Sequence, residues 1–280
     1  MAPPKGGVRA GQWLANRYRI IRHLGQGGMG VVFLARDARR VEARQCYPYV
    51  AIKVLAPRWR EYPGAWMALQ EEARRSMRVS SPHVIRTMDF DRDGDEWFMT
   101  MEYVQGSTLR QLIREAGPDG VPLARAWPWI IQLGRAIGDA HMAGVVHGDV
   151  KPDNVIVTGA GTVKLFDFGT GWATRGCLAG VSPAYASKAL LEGAVPCHKD
   201  DVYAFACVVA ETLTGEHPFQ REDALTAMRR RRTPPDIPGL GWRHASALRA
   251  ALAFHAEHRT AGVDDILRGL AGGGWWRRLR

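Results

Sequence analysis

His147-Gly148-Asp149-Val150-Lys151-Pro152-Asp153-Asn154, followed at 167–169 by Asp-Phe-Gly, is the stretch whose reading decides the fold of this chain. Between the two motifs, NVIV (154–157) and TVKLF (162–166) read as short strands joined by the turn TGAGT. On either side the pattern is helical. Residues 107–116 and 125–143 lie upstream, the second apolar on one face, and 200–214 and 244–256 lie downstream. Before Gly106 the texture differs. YRIIRHLGQGGMGVVFLARD (18–37) places two apolar runs around a glycine cluster, the pattern of a hairpin. A polar, arginine-rich connection (38–45) leads to the β-branched strand YVAIKVLA (49–56). Residues 64–78 hold no proline and space Trp66, Leu69, Ala73 and Met77 as a helix does; EWFMTMEYV (96–104) reads as a strand reached through the turn DRDGD. The chain is strand-rich to about residue 104 and helix-rich after it. That order predicts an α+β fold of two unequal lobes, with a ligand cleft between them. The expected boundaries are a loose extension at 1–16, a small β-rich lobe at 17–104, a larger helical lobe at 105–270, and a basic, aromatic tail at 271–280.

Composition narrows the classes. The 280 residues are 46% hydrophobic and 24% charged, a globular balance. No run approaches the roughly 18 apolar residues of a membrane span, and the first residues lack the apolar stretch of a secretory leader. Cys46, Cys177, Cys197 and Cys207 show no CxxC spacing, which fits reduced thiols and a cytoplasmic location. The net charge of +10 invites a nucleic-acid reading. It is carried by 32 arginines against six lysines, a compositional bias. No aromatic residue interleaves the run Arg229–Arg232, which weakens that reading. A solvated basic face is the plainer reading of the run, and docking of an acidic protein substrate the functional one. Nothing in the sequence assigns an oligomeric state.

LGQGGMGVV sets Gly25, Gly27 and Gly30 in G-x-G-x-x-G-x-V, a pattern that lets backbone N–H groups approach phosphates. A dinucleotide-binding turn would run on into a helix, whereas Val31, Val32 and Phe33 continue as strand. Lys53 of VAIK stands 28 residues after Gly25, and Asp167 stands 18 after Asp149. The glycine turn, VAIK, the D-x-K-x-x-N loop and DFG follow one another in the order of the protein-kinase signatures. On these motifs the chain resembles a eukaryotic-type (Hanks-type) bacterial serine/threonine protein kinase, over about residues 17–270.

The resemblance implies a bilobal kinase fold and transfer of the ATP γ-phosphoryl group to Ser or Thr hydroxyls of protein substrates. It implies ATP with Mg²⁺, or Mn²⁺ in its place. Lys53 would contact the α- and β-phosphates and be held by a carboxylate of the 64–78 helix. Glu71 and Glu72 both qualify, but adjacent helical residues point about 100° apart, so only one can face the lysine. Glu72, ten residues before Pro82, has the spacing usual in the family. Asn154 and Asp167 would hold the metal through oxygen. Asp149 would act as base, with Lys151 on the transferring phosphoryl group. MEYV would be the hinge: Met101 the gatekeeper, Glu102 offering its carbonyl, Val104 its N–H. Leu24, Val32, Ala51 and Ile156 would enclose the adenine. A core role reads equally well for Val32 and Ala51 from sequence alone.

The pattern departs from the family at two places. Gly148 replaces the arginine that pairs with a phosphorylated activation loop, which implies activity without phosphorylation of Thr170 or Thr174. Ser182 aligns with the threonine that contacts the catalytic aspartate. The segment that ends in Ala-Pro-Glu in the family reads Ser187-Lys188-Ala189, which leaves Arg259 without its carboxylate and Glu192 as a distant substitute. Asp201 matches the aspartate that supports the catalytic-loop backbone, with Asp200 the less fitting neighbour. His-Gly-Asp also occurs in small-molecule kinases of this fold; Lys151, Asp-Phe-Gly and the glycine turn oppose that class. A pseudokinase is the third reading, opposed by intact Lys53, Asp149, Asn154 and Asp167. Cys177, after Asp-Phe-Gly, and the tail pair Trp275 and Trp276 carry weaker readings, as a redox-sensitive thiol and an interfacial end.

Overall fold

A computed structural model describes residues 7–169, 182–237, 240–259 and 262–271. Thr170, Thr174, Cys177, Trp275 and Trp276 lie outside the described residues. The chain divides into two compact units, Met1–Arg78 with Ile85–Val104, and Val79–Val84 with Gln105–Arg280.

Among the described residues, the N-terminal unit is an antiparallel sheet with three helices. Its strands are β1 (Trp13–Leu14), β2 (Tyr18–Gln26), β3 (Gly30–Asp37), β4 (Tyr49–Leu55), β5 (Thr87–Asp93) and β6 (Glu96–Glu102), in the order β1-β2-β3-β4-β6-β5. Alternation along each strand sorts the side chains. Tyr18, Ile20, Phe33, Ala35, Val50, Ile52, Val54 and Phe98 form one buried cluster with Val8 and Leu14. The opposite face carries Val32, Leu34, Ala51 and Lys53. Within the stretch 1–16 expected as a loose extension, residues 7–16 therefore supply an edge strand and two core side chains. The expected polar connection after β3 contains a short helix, α1 (Ala38–Glu42). Buried Asp37 explains it. Its carboxylate accepts Arg39 N–H as the helix cap and is gripped by Arg17 through Nε and Nη2 at 2.9 and 2.8 Å. Two further helices follow β4: α2 (Pro57–Arg60), opened by a proline at its first turn, and α3 (Ala65–Arg78). The strand β5 precedes the DRDGD turn. Met88 and Phe90 alternate with Asp89 and Asp91, the period-two pattern of a strand with one charged face.

The C-terminal unit is mainly helical. A small antiparallel sheet, β7 (Gly106–Thr108), β8 (Val155–Thr158) and β9 (Val163–Leu165), lies beside α4 (Leu109–Ala116) and α5 (Leu123–Met142). The helix expected from 107 begins two residues later because Thr108 and Gln111 form a reciprocal cap at Leu109. After α6 (Lys188–Leu191) comes α7 (His198–Thr214), buried without interruption from Asp200 to Leu213. A helix buried on every side forms the centre of its unit. Tyr203, Phe205 and Val209 at 0% exposure each contribute about 2 kcal/mol of apolar burial. α8 (Ala224–Arg229), α9 (Trp242–Ala251) and α10 (Val263–Ala271) complete the unit. The helix expected over 244–256 stops at Ala251, and Ala256–His258 is a separate 3-10 turn.

Candidate active site

The expected catalytic side chains fall in two groups, one in each unit. In the N-terminal unit, register places Gly25 opposite Val32 and Val32 opposite Lys53; on the neighbouring row Leu34 stands opposite Ala51 and Ala51 opposite Met101. The residues expected around adenine and phosphate thus lie on adjacent rows of one face. Met101 is buried, whereas Leu24 and Val104 are half-buried. The Glu102 backbone is fixed by a reciprocal pair: its N–H donates to Arg86 O, and Arg86 N–H donates to Glu102 Oε1, both at 2.9 Å. Ile156 stands on β8, in the other unit, opposite Thr108 and Lys164.

Lys53 and Glu72 form a buried ion pair, with Nζ at 2.6 Å from Oε1 and 2.7 Å from Oε2. Glu71, one residue earlier, turns outward and pairs with Arg74 at 2.6 Å. Gly30 is dictated by this lysine. A Cβ there would stand 2.9 Å from Lys53 Cγ, closer than real side chains approach, and a tight 3.0 Å from the Val54 carbonyl oxygen. The third glycine of the turn is therefore the space Lys53 occupies.

In the C-terminal unit the loop 147–154 is built around Asp149, 4% exposed. Burial pushes its carboxyl pKa above the usual range, and the Lys151 ammonium beside it opposes that rise. Lys151 Nζ donates to Asp149 Oδ2 and, at 2.8 Å, to Ser182 Oγ, while Ser182 N–H donates to Asp149 Oδ1 at 3.1 Å. Asn154 Nδ2 donates to the Asp149 carbonyl at 2.9 Å and to its Oδ2 at 3.1 Å, which leaves the amide oxygen as a donor atom for a cation. Asp167, held at φ +70°, opens the Asp-Phe-Gly turn. Phe168 is buried beneath it, its ring 4.6 Å from that of His147. Carboxylate and amide oxygens are the ligands hard cations prefer, so Asp167 and Asn154 fit a divalent metal.

The backbone of the loop hangs on Asp201. His147 N–H donates to its Oδ2 and Gly148 N–H to its Oδ1, both at 2.8 Å, and His141 Nε2 adds a bond at 2.7 Å. Burial alone would raise the Asp201 pKa. The His141 bond, the two nearby imidazoles and the Gly148 N–H outweigh it and hold the group ionised below the usual range. His147 is fully buried and its pKa is pushed down by that burial. Its partners fix the neutral tautomer: Nε2–H donates to Phe166 O at 3.0 Å, and Nδ1 accepts Asp149 N–H at 3.2 Å.

Residues 18–246 match the protein kinase domain family. The chain belongs to that family. It is 32% identical over 212 residues to the serine/threonine-protein kinase PknD of Mycobacterium tuberculosis, a match covering 73% of this chain and 31% of that protein. It is 32% identical over 224 residues to PrkC of Bacillus subtilis, covering 77% and 33%. The chain thus spans about a third of the length of these curated relatives. The crystal structure of the PknI kinase domain of M. tuberculosis shares the fold, with a TM-score of 0.75 at 24% identity over 95% of this chain and 99% of that one. The family uses ATP and a divalent metal.

As a kinase domain, the chain solves its missing Ala-Pro-Glu carboxylate in a way the sequence did not show. Glu192 is not the substitute, because it lies on the surface paired with Lys188 at 2.9 Å. The carboxylate at Arg259 is Asp200, whose Oδ1 stands 3.5 Å from Nη1, with both side chains at 1% exposure or less. The same Oδ1 accepts Ser187 Oγ–H at 2.6 Å, and Oδ2 accepts Cys197 N–H at 2.8 Å. Arg259 also donates to the Ala253, Lys199 and Phe254 carbonyls at 2.7, 3.0 and 2.9 Å. Sequence reasoning also missed a second anchor. Tyr185 OH meets Glu211 Oε2 and Arg110 Nη2, and Arg110 Nη1 binds Glu211 Oε1 at 2.5 Å. The kinase segment 182–188 is therefore held at Ser182, Tyr185 and Ser187. The only sequence signal was a glutamate, Glu211, directly after the apolar run 202–210.

Proposed function

We propose that the chain is the catalytic domain of an ATP-dependent serine/threonine protein kinase that transfers the γ-phosphoryl group to Ser and Thr hydroxyls of protein substrates. The observation that carries this reading is the loop around Asp149: a buried carboxylate with raised proton affinity, set between Lys151 and Ser182. Asp149 accepts the proton of the substrate hydroxyl as its oxygen attacks the γ-phosphorus and ADP leaves. Lys151 neutralises charge on the transferring group. Lys53, oriented by Glu72, contacts the α- and β-phosphates, and the backbone of the Gly25–Gly30 turn covers them. Asp167 and Asn154 would hold Mg²⁺, or Mn²⁺ in its place; that cation, when bound, supplies charge neutralisation at the phosphate oxygens. Met101, Glu102, Val104, Leu24, Val32, Ala51 and Ile156 receive the adenine. Its requirement for ATP and its free thiols at Cys46, Cys197 and Cys207 support a cytoplasmic site of action.

Gly148 offers no guanidinium to a phosphorylated loop residue, so activity independent of loop phosphorylation is part of the proposal. The test uses labelled ATP with a divalent metal and generic protein substrates, beside Lys53→Met, Asp149→Asn, Thr170→Ala and Thr174→Ala. Label on Ser or Thr that survives both threonine substitutions and is lost in the first two variants is expected. Transfer to a small metabolite alone, or nucleotide binding without transfer, would overturn the reading.

A further inference from the structure

The glycine turn is not a free flap in this chain. Gly28, at its tip, is exposed, and a Cβ placed there would meet nothing within 4 Å, so no steric wall confines it. Its carbonyl is nevertheless taken by two side chains of α2. Arg58 Nη2 donates to Gly28 O at 2.6 Å, and Trp59 Nε1 donates to the same oxygen at 2.9 Å. The next carbonyl is taken as well, by Ala56 N–H at 2.9 Å from Met29 O. Both acceptor positions of Gly28 O are thereby filled from one side.

The donors are themselves fixed. The Trp59 ring packs against the core of the N-terminal unit and lies 5.2 Å from the Tyr62 ring. From there a chain of turns runs forward: Trp59 N–H to Ala56 O at 2.8 Å, Tyr62 N–H to Trp59 O at 3.1 Å, Ala65 N–H to Tyr62 O at 3.1 Å. Ala65 is the first residue of α3, the helix that carries Glu72 to Lys53.

We propose that Arg58 and Trp59 are positioning residues for ATP. They hold the backbone of the glycine turn in the conformation that cradles phosphate, and they couple it to the helix that orients Lys53. The proposal rests on the kinase reading above for its ligand. A loop ordered before the nucleotide arrives loses less freedom on binding, so the coupling acts on affinity rather than on the chemical step.

The test compares the full chain with Arg58→Met, Trp59→Phe and the double variant. Met keeps the aliphatic stem of Arg58, and Phe keeps a ring in the Trp59 seat while removing its N–H. Two readouts are taken: amide hydrogen exchange of residues 25–31 without nucleotide, and KM for ATP against kcat. Two exposed hydrogen bonds set the scale, so the double variant is expected to exchange at 25–31 about tenfold faster, with the amides of α3 unchanged. KM for ATP should rise about fivefold to tenfold while kcat stays within about twofold. Unchanged exchange at 25–31, or equal quickening throughout α3, would overturn the tether. So would quickened exchange with an unchanged KM for ATP, or a loss confined to kcat. If no form of the protein binds or turns over ATP, the kinase reading fails, while the exchange data still decide whether the turn is held.

Discussion

At the residue scale, Gly148 sits at φ +80°, with its N–H on Asp201. A side chain at that angle costs about 1–2 kcal/mol. Gly148→Ala should therefore lower stability by about that amount in chemical denaturation. Asp149 sets a different expectation. Its folded pKa is raised, so the ionised base is lost as pH falls through a value above the ordinary aspartate value of about 3.9. The acid limb of kcat/KM should lie above that value. Lys151 is what restrains the rise, so Lys151→Met should move the limb to still higher pH, besides lowering the rate. A pH–rate profile of both proteins checks the direction. Gly30→Ala should push Lys53 from its seat and reduce kcat/KM, by up to about 10²-fold if the shift reaches about 1 Å.

At the scale of elements, the anchored segment 182–188 and the turn after α7 carry the predictions. Asp200→Ser removes the only carboxylate at buried Arg259 among the described residues and should raise KM for protein substrates well above any change in KM for ATP. A second substitution, Ala189→Glu, supplies a carboxylate where the family has one and should recover part of that loss; steady-state kinetics on the two proteins decide it. His217 follows α7, and its Nδ1 accepts the N–H groups of Phe219 and Arg221 at 3.2 and 3.1 Å. Burial, with Arg221 and Arg110 nearby, pushes its pKa down to about 4. The sign follows from linkage. The unfolded chain takes up this proton near pH 6.5 and the folded chain does not. The contribution is therefore complete above pH 6.5 and is lost as pH falls toward 4, a loss of up to about 3 kcal/mol. His217→Asn keeps an acceptor that does not titrate. Urea unfolding at pH 7 and pH 4.5 should show the smaller drop in the variant.

At the scale of the whole molecule, part of the net charge of +10 is paired on the surface. The run Arg229–Arg232 is not bare: Glu222 holds Arg230 at 2.5 Å and Arg232 at 3.1 Å. The remaining charge of this face rests on Arg229 and Arg231. Changing both to Gln should raise KM for an acidic peptide at low salt, with the difference fading near 0.5 M salt as screening shortens to a few ångströms. How much of the molecule was legible depends on the range over which its residues act. Glycine turn, VAIK, catalytic loop and Asp-Phe-Gly were readable because each is a local motif with its own chemistry. Helical geometry admitted only one of Glu71 and Glu72, and the spacing usual in the resembled family pointed to Glu72. The short elements α1, α2 and β7 were hidden because three to five residues are too few to show a period, and β5 because charged residues fill every second position. The partner of Arg259 was hidden for another reason. It depends on residues 13 and 59 positions apart, Ser187 and Arg259, meeting at Asp200, which no local pattern records.

That meeting point also constrains the order in which its residues can be exchanged. A kinase chain can move between a carboxylate at 189 and one at 200 by two single substitutions. If the carboxylate at 189 goes first, a buried guanidinium is stranded and stability falls by several kcal/mol. If the new one at 200 arrives first, Arg259 faces two acids for a time, and the second acid still has Ser187 and Cys197 N–H to bind. The second route is the shallow one. In the present arrangement Arg259 depends on Asp200, so replacing Asp200 is tolerable only where a carboxylate at 189 is already in place.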